Sequence, residues 1–142
     1  MGEDAILAAP GRAGDFDTII ELRIQHNWNR YLDQIIQTNC GWDRDIPGIG
    51  TGAWYGLFNI FSLHLSRTLD VNTRAEWFRD VDGTRTGYDA NYGGATIGLD
   101  YHPFDWLRIR PEARGDFSDI NVFQNGRDRS QMTFSLDWLL QF

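Results

Sequence analysis

Histidine and serine are the residues of this chain whose chemistry could support catalysis. Ser62 and Ser66 flank His64 at a spacing of two, which would suit a phospholipase in which histidine activates a serine. On an extended strand, however, this spacing only means that the three side chains share a face, and no clear set of serine, histidine and acidic residue is readable. His26 and His102 lie on other predicted strands. We therefore do not expect an enzyme.

Candidate metal ligands are sparse. Asp80-Val81-Asp82-Gly83 has the spacing of a calcium loop, but the acidic ligand expected further on is missing, which favours an ordinary loop turn. Cys40 is the single cysteine, so it cannot form an internal disulfide, and no cysteine and histidine residues have zinc-site spacing. We expect no metal and no cofactor.

The most informative pattern is the alternation of charged and uncharged residues from Leu107 to Phe117. One face of this segment carries Arg108, Arg110, Glu112, Arg114 and Asp116, and the other carries Leu107, Ile109, Pro111, Ala113, Gly115 and Phe117. A packed core could not accept the charged row, because buried unpaired charge is too costly. The row must therefore face water, in a channel or on a soluble sheet. Pro111 weakens the strand prediction because it donates no hydrogen bond.

The last segment, from Gln131 to Phe142, alternates in the same way. Its apolar face carries Met132, Phe134, Leu136, Trp138, Leu140 and Phe142. Tilted strands of about 9–11 residues span a membrane, whereas typical globular strands have about 5–6. The terminal Phe142 resembles the signal by which barrel-assembly machinery recognises outer-membrane proteins.

Alternation recurs in five further segments, and nowhere is a helical period sustained. These segments include Ile20 to Trp28, Tyr31 to Trp42, Leu57 to Leu65, Val71 to Phe78 and Thr96 to His102. The sequence therefore predicts an all-β fold, an antiparallel up-and-down meander of about seven long strands.

Short connections alternate with long ones. The short connections are Asn29-Arg30, Arg67-Thr68 and Phe104-Asp105, and the long ones are Asp43 to Gly52, Asp80 to Tyr92 and Ser118 to Ser130. This is the topology of bacterial outer-membrane barrels. Aromatic residues near strand ends or on apolar faces agree with the girdles of such barrels. They are Trp28, Tyr31, Trp42, Trp54, Tyr55, Trp77, Tyr101, Trp106 and Trp138.

The overall composition excludes few classes of protein. The 142 residues are 42% hydrophobic, with no apolar run of the roughly 18 residues that a transmembrane helix needs. The mean hydropathy of −0.44 is compatible with barrel strands, because these alternate between lipid and lumen. The 13 basic residues, all arginine, and 20 acidic ones give a net charge of −7, which argues against nucleic acid as a partner.

The predicted strand number indicates a portion of a larger barrel. Bacterial single-chain barrels have an even number of strands, eight or more. An odd number with no signal peptide suggests that an N-terminal portion is missing. Residues 1–15 would then be an external loop remnant or disordered lead, and residues 16–142 the outer-membrane barrel segment.

Two arginine-rich segments resemble the β-barrel porin-2 family, the OmpL-like porins. Residues 74–85 (RAEWFRDVDGTR) resemble a family signature, and residues 109–116 (IRPEARGD) resemble the next recognisable strand, where a proline is expected. Residues 40–43 (CGWD) and the last strand also fit. The resemblance covers residues 16–142 and corresponds to the C-terminal part of longer members. It implies a passive channel and brings no catalytic site.

The alternation also assigns side chains to the two environments of such a wall. The predicted pore-lining residues are Glu21, Arg23, Arg74, Glu76, Asp100, Arg108, Arg110, Glu112, Arg114, Asp116 and Asp137. These charges either set ion preference or pair across strands, and pairing is favoured for Arg74, Glu76, Arg110 and Glu112. The mixed signs predict weak ion selectivity. The predicted lipid-facing or girdle residues are Trp77, Tyr101, Leu107, Ile109, Phe134, Leu136, Trp138 and Phe142.

We therefore expect a porin segment in the bacterial outer membrane. Its expected partners are outer-membrane lipid, the remaining N-terminal strands and, through the last strand, the barrel-assembly machinery. The pattern leaves oligomer formation open. Two alternatives also remain: a soluble lipocalin-like or sandwich β protein that binds a ligand, and a small structural barrel that anchors the envelope.

Overall fold

The structure, a computed structural model, describes residues 18–46 and 48–141, so the predicted lead at residues 1–15 and Phe142 lie outside the described residues. Seven strands follow one another: β1 (Thr18–Asn29), β2 (Leu32–Ile46), β3 (Gly50–His64), β4 (Leu69–Val81), β5 (Ala90–Phe104), β6 (Leu107–Ser118) and β7 (Ser130–Leu140). Each is antiparallel to the next, and they form one sheet in the order β1 to β7. The predicted all-β meander is confirmed. Among these residues, no helix is long and apolar enough to cross a membrane.

Within residues 18–46 and 48–141 the sheet has two free edges, because β1 pairs only with β2 and β7 only with β6. Its strands have 11 to 15 residues, against the roughly 9–11 tilted residues that cross a bilayer. The arrangement is that of a barrel segment that is not closed.

The strand registers define two faces. Directly opposed residues share a face, as in the pairs Arg74↔Thr96, Thr96↔Arg114 and Arg114↔Thr133. We call this side the polar face; it carries the even-numbered residues of β3 to β6 and the odd-numbered ones of β1, β2 and β7. The opposite side is the apolar face. The alternation in the sequence follows directly from this register.

Burial is confined to one end of the polar face. Apart from glycines, the buried residues of the described chain are Trp54, Asp80, Ala90 and Ser118. Trp54 is opposite Asp80, and Asp80 is opposite Ala90. On the apolar face, by contrast, Phe134 is 75% and Trp138 73% exposed. The sheet therefore has no apolar core, and its apolar side chains point away from the charged ones.

The connections lie at two ends of the sheet. The turn end has residues 30–31, 65–68 and 105–106, and the loop end has residues 48–49, 82–89 and 119–129. The predicted long loop from Asp43 to Gly52 is wrong, because these two residues are opposed in the β2–β3 ladder. A tight turn replaces the loop: the N–H of Ile49 donates to Ile46 O at 3.1 Å.

Pro111 is accommodated inside β6. It is opposite Leu136 of β7. On its other side, the pairs with β5 run as far as Gly98↔Glu112 and resume at Tyr101↔Ile109. Pro111, which has no N–H, thus lies where the β5–β6 ladder is interrupted. The missing donor therefore costs the sheet little in lost hydrogen bonding.

Candidate functional site

Four charged residues meet at the centre of the polar face, and we call them the ionic cluster. Arg74 and Glu76 lie on β4, and Arg114 and Asp116 lie on β6. Arg74 Nε donates to Glu76 Oε2 at 2.6 Å, and Arg114 Nη2 pairs with Glu76 Oε1. Arg114 Nη2 also lies 2.6 Å from Asp116 Oδ1. Two positive and two negative charges make the cluster neutral as a whole.

Gly94 of β5 allows the cluster to form across a strand. It lies between Glu76 and Asp116 in the sheet. A Cβ at this position would lie 2.7 Å from Glu76 Oε1 and 3.1 Å from Arg114 Nη2. At Gly98, on the same strand and face, a Cβ would meet nothing closer than 3.6 Å. The ion pair from β4 to β6 therefore needs a residue without a side chain at Gly94.

An open cavity of about 530 Å³ adjoins the ionic cluster. Phe58, Phe78 and Tyr92 line it from the sheet, and Phe123 lines it from the β6–β7 loop. The guanidinium of Arg74 lies 5.5 Å from the centre of the Phe58 ring. The cavity thus combines paired charges with aromatic surfaces and is large enough for a small solute.

The remaining predicted pore-lining residues also lie on the polar face, in looser arrangements. Arg108 Nη1 lies 3.2 Å from Asp100 Oδ2, and Arg110 Nη2 lies 3.5 Å from Asp137 Oδ2. The two arginine side chains are 48% and 43% exposed, so each pair contributes only about 0–1 kcal/mol. These charges therefore remain available to water.

Three predicted residues stand apart from these groups. Glu21 and Arg23 lie on the edge strand β1, opposite Asn39 and Gln37. Glu112 lies on β6, opposite Ser135. None of them enters an ion pair among the described residues, so the expected pairing of Glu112 is not found.

The predicted lipid-facing residues that the structure describes share the apolar face. They are Trp77, Tyr101, Leu107, Ile109, Phe134, Leu136 and Trp138. Five of them are exposed; Trp77 is 44% and Leu136 is 60% exposed, for example. Phe142 lies outside the described residues. This face therefore offers a continuous apolar surface with no charged residue from β6 or β7.

Trp54 corrects one expectation. The sequence predicts a girdle residue here, but Trp54 lies on the polar face and is only 5% exposed. Its six-membered ring covers Gly41 of β2. Because neighbours on a strand face opposite sides, only one of Trp54 and Tyr55 can point outward, and it is Tyr55, which is 46% exposed.

His64 lies near the turn end of the polar face between two carboxylates. Its Nδ1 is 2.8 Å from Asp70 Oδ1, and its Nε2 is 3.1 Å from Asp33 Oδ2. The hydroxyl of Ser62 donates to Asn72 Oδ1 at 2.7 Å. Both ring nitrogens are thus occupied by carboxylates, and this histidine is not placed to activate a serine. Sequence reasoning missed the two aspartates because they lie on neighbouring strands whose register was not known.

The candidate calcium segment has a different role in the structure. Asp80 Oδ2 accepts hydrogen bonds from the N–H groups of Arg85 at 3.0 Å and Thr86 at 2.6 Å, and from Thr86 Oγ1 at 2.8 Å. Asp80 is therefore the anchor of the β4–β5 loop. Within the described ranges, no group of three or more His, Cys, Asp and Glu residues is arranged to hold a metal ion.

Comparison with known proteins adds one match. The model of the family described as "Putative beta-barrel porin-2, OmpL-like" matches residues 7–142. Neither the curated proteins nor the solved structures contain a match. The family match includes all seven strands and both faces described above.

Proposed function

This chain belongs to the β-barrel porin-2 family of OmpL-like porins, and on that premise we propose that it forms part of the wall of a water-filled channel in the bacterial outer membrane. The channel would allow small solutes or ions to diffuse passively. The observation that carries this proposal is the division of side chains between the two faces of one sheet.

The polar face supplies the lining of the channel. Charged groups such as Arg108 and Arg110 need water or a partner, and their exposure leaves them accessible to water. Side chains can fill the interior of a barrel of roughly eight strands, whereas a barrel with many more strands contains an aqueous lumen. A larger barrel lined by this face would therefore be wet.

The apolar face supplies the lipid contact. Exposed residues such as Phe134 and Trp138 would be unfavourable in water but favourable in the hydrocarbon region. The membrane lipid is thus the partner that this face requires.

The two free edges must also find partners. Within lipid, unpaired N–H and C=O groups cost several kcal/mol each, so open sheet edges do not occur there. We infer that β1 and β7 pair with further strands and so close the barrel. We further infer that the barrel-assembly machinery binds the C-terminal strand.

The charges of the proposed lining favour weak ion selectivity. The ionic cluster is neutral, and Arg108 and Arg110 each have a carboxylate nearby. Among the described residues, no long row of charges of one sign lies on the polar face, and such rows are what give pores strong ion selectivity.

Planar bilayer recording tests the proposal on the intact barrel that contains this segment. We expect discrete, reproducible conductance steps with weak selectivity. The 142 residues alone should form no uniform channel, because their edges are unpaired in lipid. A silent bilayer that contains correctly inserted protein would contradict the channel and favour a structural anchor. A protein that stays monomeric and folded without detergent would favour the soluble alternative.

A further inference from the structure

The β4–β5 loop, residues 82–89, folds back over the polar face. Its anchor is the carboxylate of Asp80, which is fully buried and accepts three hydrogen bonds from Arg85 and Thr86. The hydroxyl of Tyr92, on the polar face of β5, donates to Thr86 Oγ1 at 2.8 Å. The loop is thus fixed at its middle to both strands that it connects.

The loop also packs against β3, which is beyond its own strand pair. The side chain of Thr84 lies against Gly52 so closely that a Cβ at this glycine would collide with it. The guanidinium carbon of Arg85 lies 3.7 Å from the centre of the Trp54 ring. Trp54 therefore lies against both Gly41 of β2 and Arg85 of the loop.

Two buried side chains of the sheet lie against this loop. Trp54 and Asp80 are directly opposed on neighbouring strands; Arg85 lies over Trp54, and Arg85 and Thr86 bind Asp80. A loop that extended beyond the strand ends would leave these two side chains without those contacts. The geometry is that of a loop held against the wall.

We propose that this loop narrows the loop end of the channel and that Arg85 is a selectivity-determining residue of the narrowed part. The inference rests on the proposed channel function. The side chain of Arg85 is 37% exposed, and its Nη2 lies 3.8 Å from Asp43 Oδ1. Contact with Trp54 fixes the guanidinium in place. Ions that pass the loop therefore meet a positive group that one carboxylate compensates only in part.

A cross-link tests the position of the loop without any need for conduction. In a Cys40→Ser background, the intact protein would carry Gly52→Cys together with Thr84→Cys. We expect a disulfide to form readily in the embedded protein, because a Cβ at residue 52 would lie within 2.9 Å of Thr84 Oγ1. The pair Gly52→Cys and Arg127→Cys is the control, since residue 127 lies in the β6–β7 loop three strands away. If both pairs cross-linked to the same extent, or if neither pair cross-linked, the proposal that the loop narrows the channel would be overturned.

Trypsin gives a second measure that needs no substitution. The chain should resist cleavage after Arg85, whose backbone N–H is bound to the buried Asp80 and whose guanidinium lies over Trp54. It should be cut faster after Arg127, whose backbone N–H is bound to Phe123 of its own loop. Equal cleavage at both sites would overturn the fixed loop even if the cysteine variants failed to assemble.

Reversal potentials test the role of Arg85. Arg85→Gln should raise the cation-to-anion permeability ratio about 1.5- to 3-fold, the scale of one partly compensated charge in water. Arg127→Gln removes the same charge at the same end, away from the loop, and should have a smaller effect. If Arg85→Gln conducted with an unchanged cation-to-anion permeability ratio, Arg85 would not be a selectivity-determining residue. The channel proposal would survive that result, and it would fail only if the unmodified protein were silent.

Discussion

Glu76 on β4 and Arg114 on β6 form an ion pair although a whole strand lies between them. They meet above Gly94, the residue of β5 that has no side chain to keep them apart. Neighbouring strands are about 4.8 Å apart, so this pair joins backbones separated by about 10 Å. Three strands of the wall are thereby connected by side chains as well as by the hydrogen bonds of the sheet.

Gly94→Ala should destabilise the protein. The new methyl group would displace Glu76 Oε1, Arg114 Nη2 or both, because it would lie 2.7 and 3.1 Å from them. We expect the free energy of unfolding to fall by about 1–3 kcal/mol. Urea unfolding of the intact protein in lipid vesicles, followed by tryptophan fluorescence, measures the change. Gly98→Ala is the matched control and should be neutral or slightly stabilising; equal losses for the two variants would contradict the proposed role of Gly94.

Glu76→Gln should weaken the wall more than Glu112→Gln. Glu76 accepts from both Arg74 and Arg114, whereas Glu112 enters no ion pair among the described residues. Removal of the shared carboxylate charge should cost about 1.5–3 kcal/mol of unfolding free energy, the range for hydrogen bonds to charged groups. The same vesicle unfolding experiment compares the two variants. If Glu112→Gln cost as much, the ionic cluster would not be a stabilising unit.

The β6–β7 loop should keep its structure in mild acid and lose it only below the normal titration range of aspartate. Asp119 accepts hydrogen bonds from the side-chain amide of Asn91 at 2.7 Å and from its backbone N–H at 2.9 Å. These bonds hold the pKa of Asp119 below its ordinary value of 3.8. Because the pKa of Asp119 is lower in the folded protein, these hydrogen bonds contribute their full stabilisation above pH 3.8. That stabilisation is lost as the pH falls through the pKa of Asp119 in the folded state.

Acid-dependent proteolysis of that loop checks this prediction. The unmodified protein should resist an acid protease at pH 4 and become sensitive at lower pH, whereas Asp119→Asn should be sensitive to the same extent throughout. Asp128→Asn, in the same loop, is the control. A protection that fell away well above pH 4 in the unmodified protein would contradict the lowered pKa.

Neutralising three arginines of the polar face should change ion preference. Replacement of Arg108, Arg110 and Arg114 by glutamine removes positive charge from the proposed lining and should shift the preference toward cations. Replacement of Arg30, Arg127 and Arg129 by glutamine removes the same net charge from turns and loops, and should shift it less. Reversal potentials in a salt gradient measure both. An identical shift in the two triple variants would mean that the polar face does not line the path of the ions.

The sequence predicted the strands and their faces because both follow from local alternation. A period of two over Leu107 to Phe117 has no other regular explanation, and the structure places β6 there. The register between strands is a different matter, since it depends on packing that no single strand reveals. The contacts of His64 with Asp33 and Asp70, and of Glu76 with Arg114, could therefore not be derived in advance.

The loop end was predicted least well. The segment from Asp43 to Gly52 is polar and rich in glycine, which is typical of a loop, yet both residues belong to strands. Here the pairing of β2 with β3 outweighs composition. Trp54 was misplaced because the loop that covers it comes about 30 residues later in the chain, so no local signal distinguishes a buried tryptophan from one in a girdle.

The polar face of the proposed wall should be wet, and the apolar face should meet lipid. Spin labels on single cysteines at residues 107, 108, 109 and 110 of the intact, membrane-embedded protein, in a Cys40→Ser background, distinguish the two environments. We expect relaxation by a water-soluble agent at 108 and 110 and by a lipid-soluble agent at 107 and 109, because these positions alternate between the faces of β6. The reverse pattern would show that the two faces are assigned wrongly, and water access at all four positions would contradict a membrane-spanning wall.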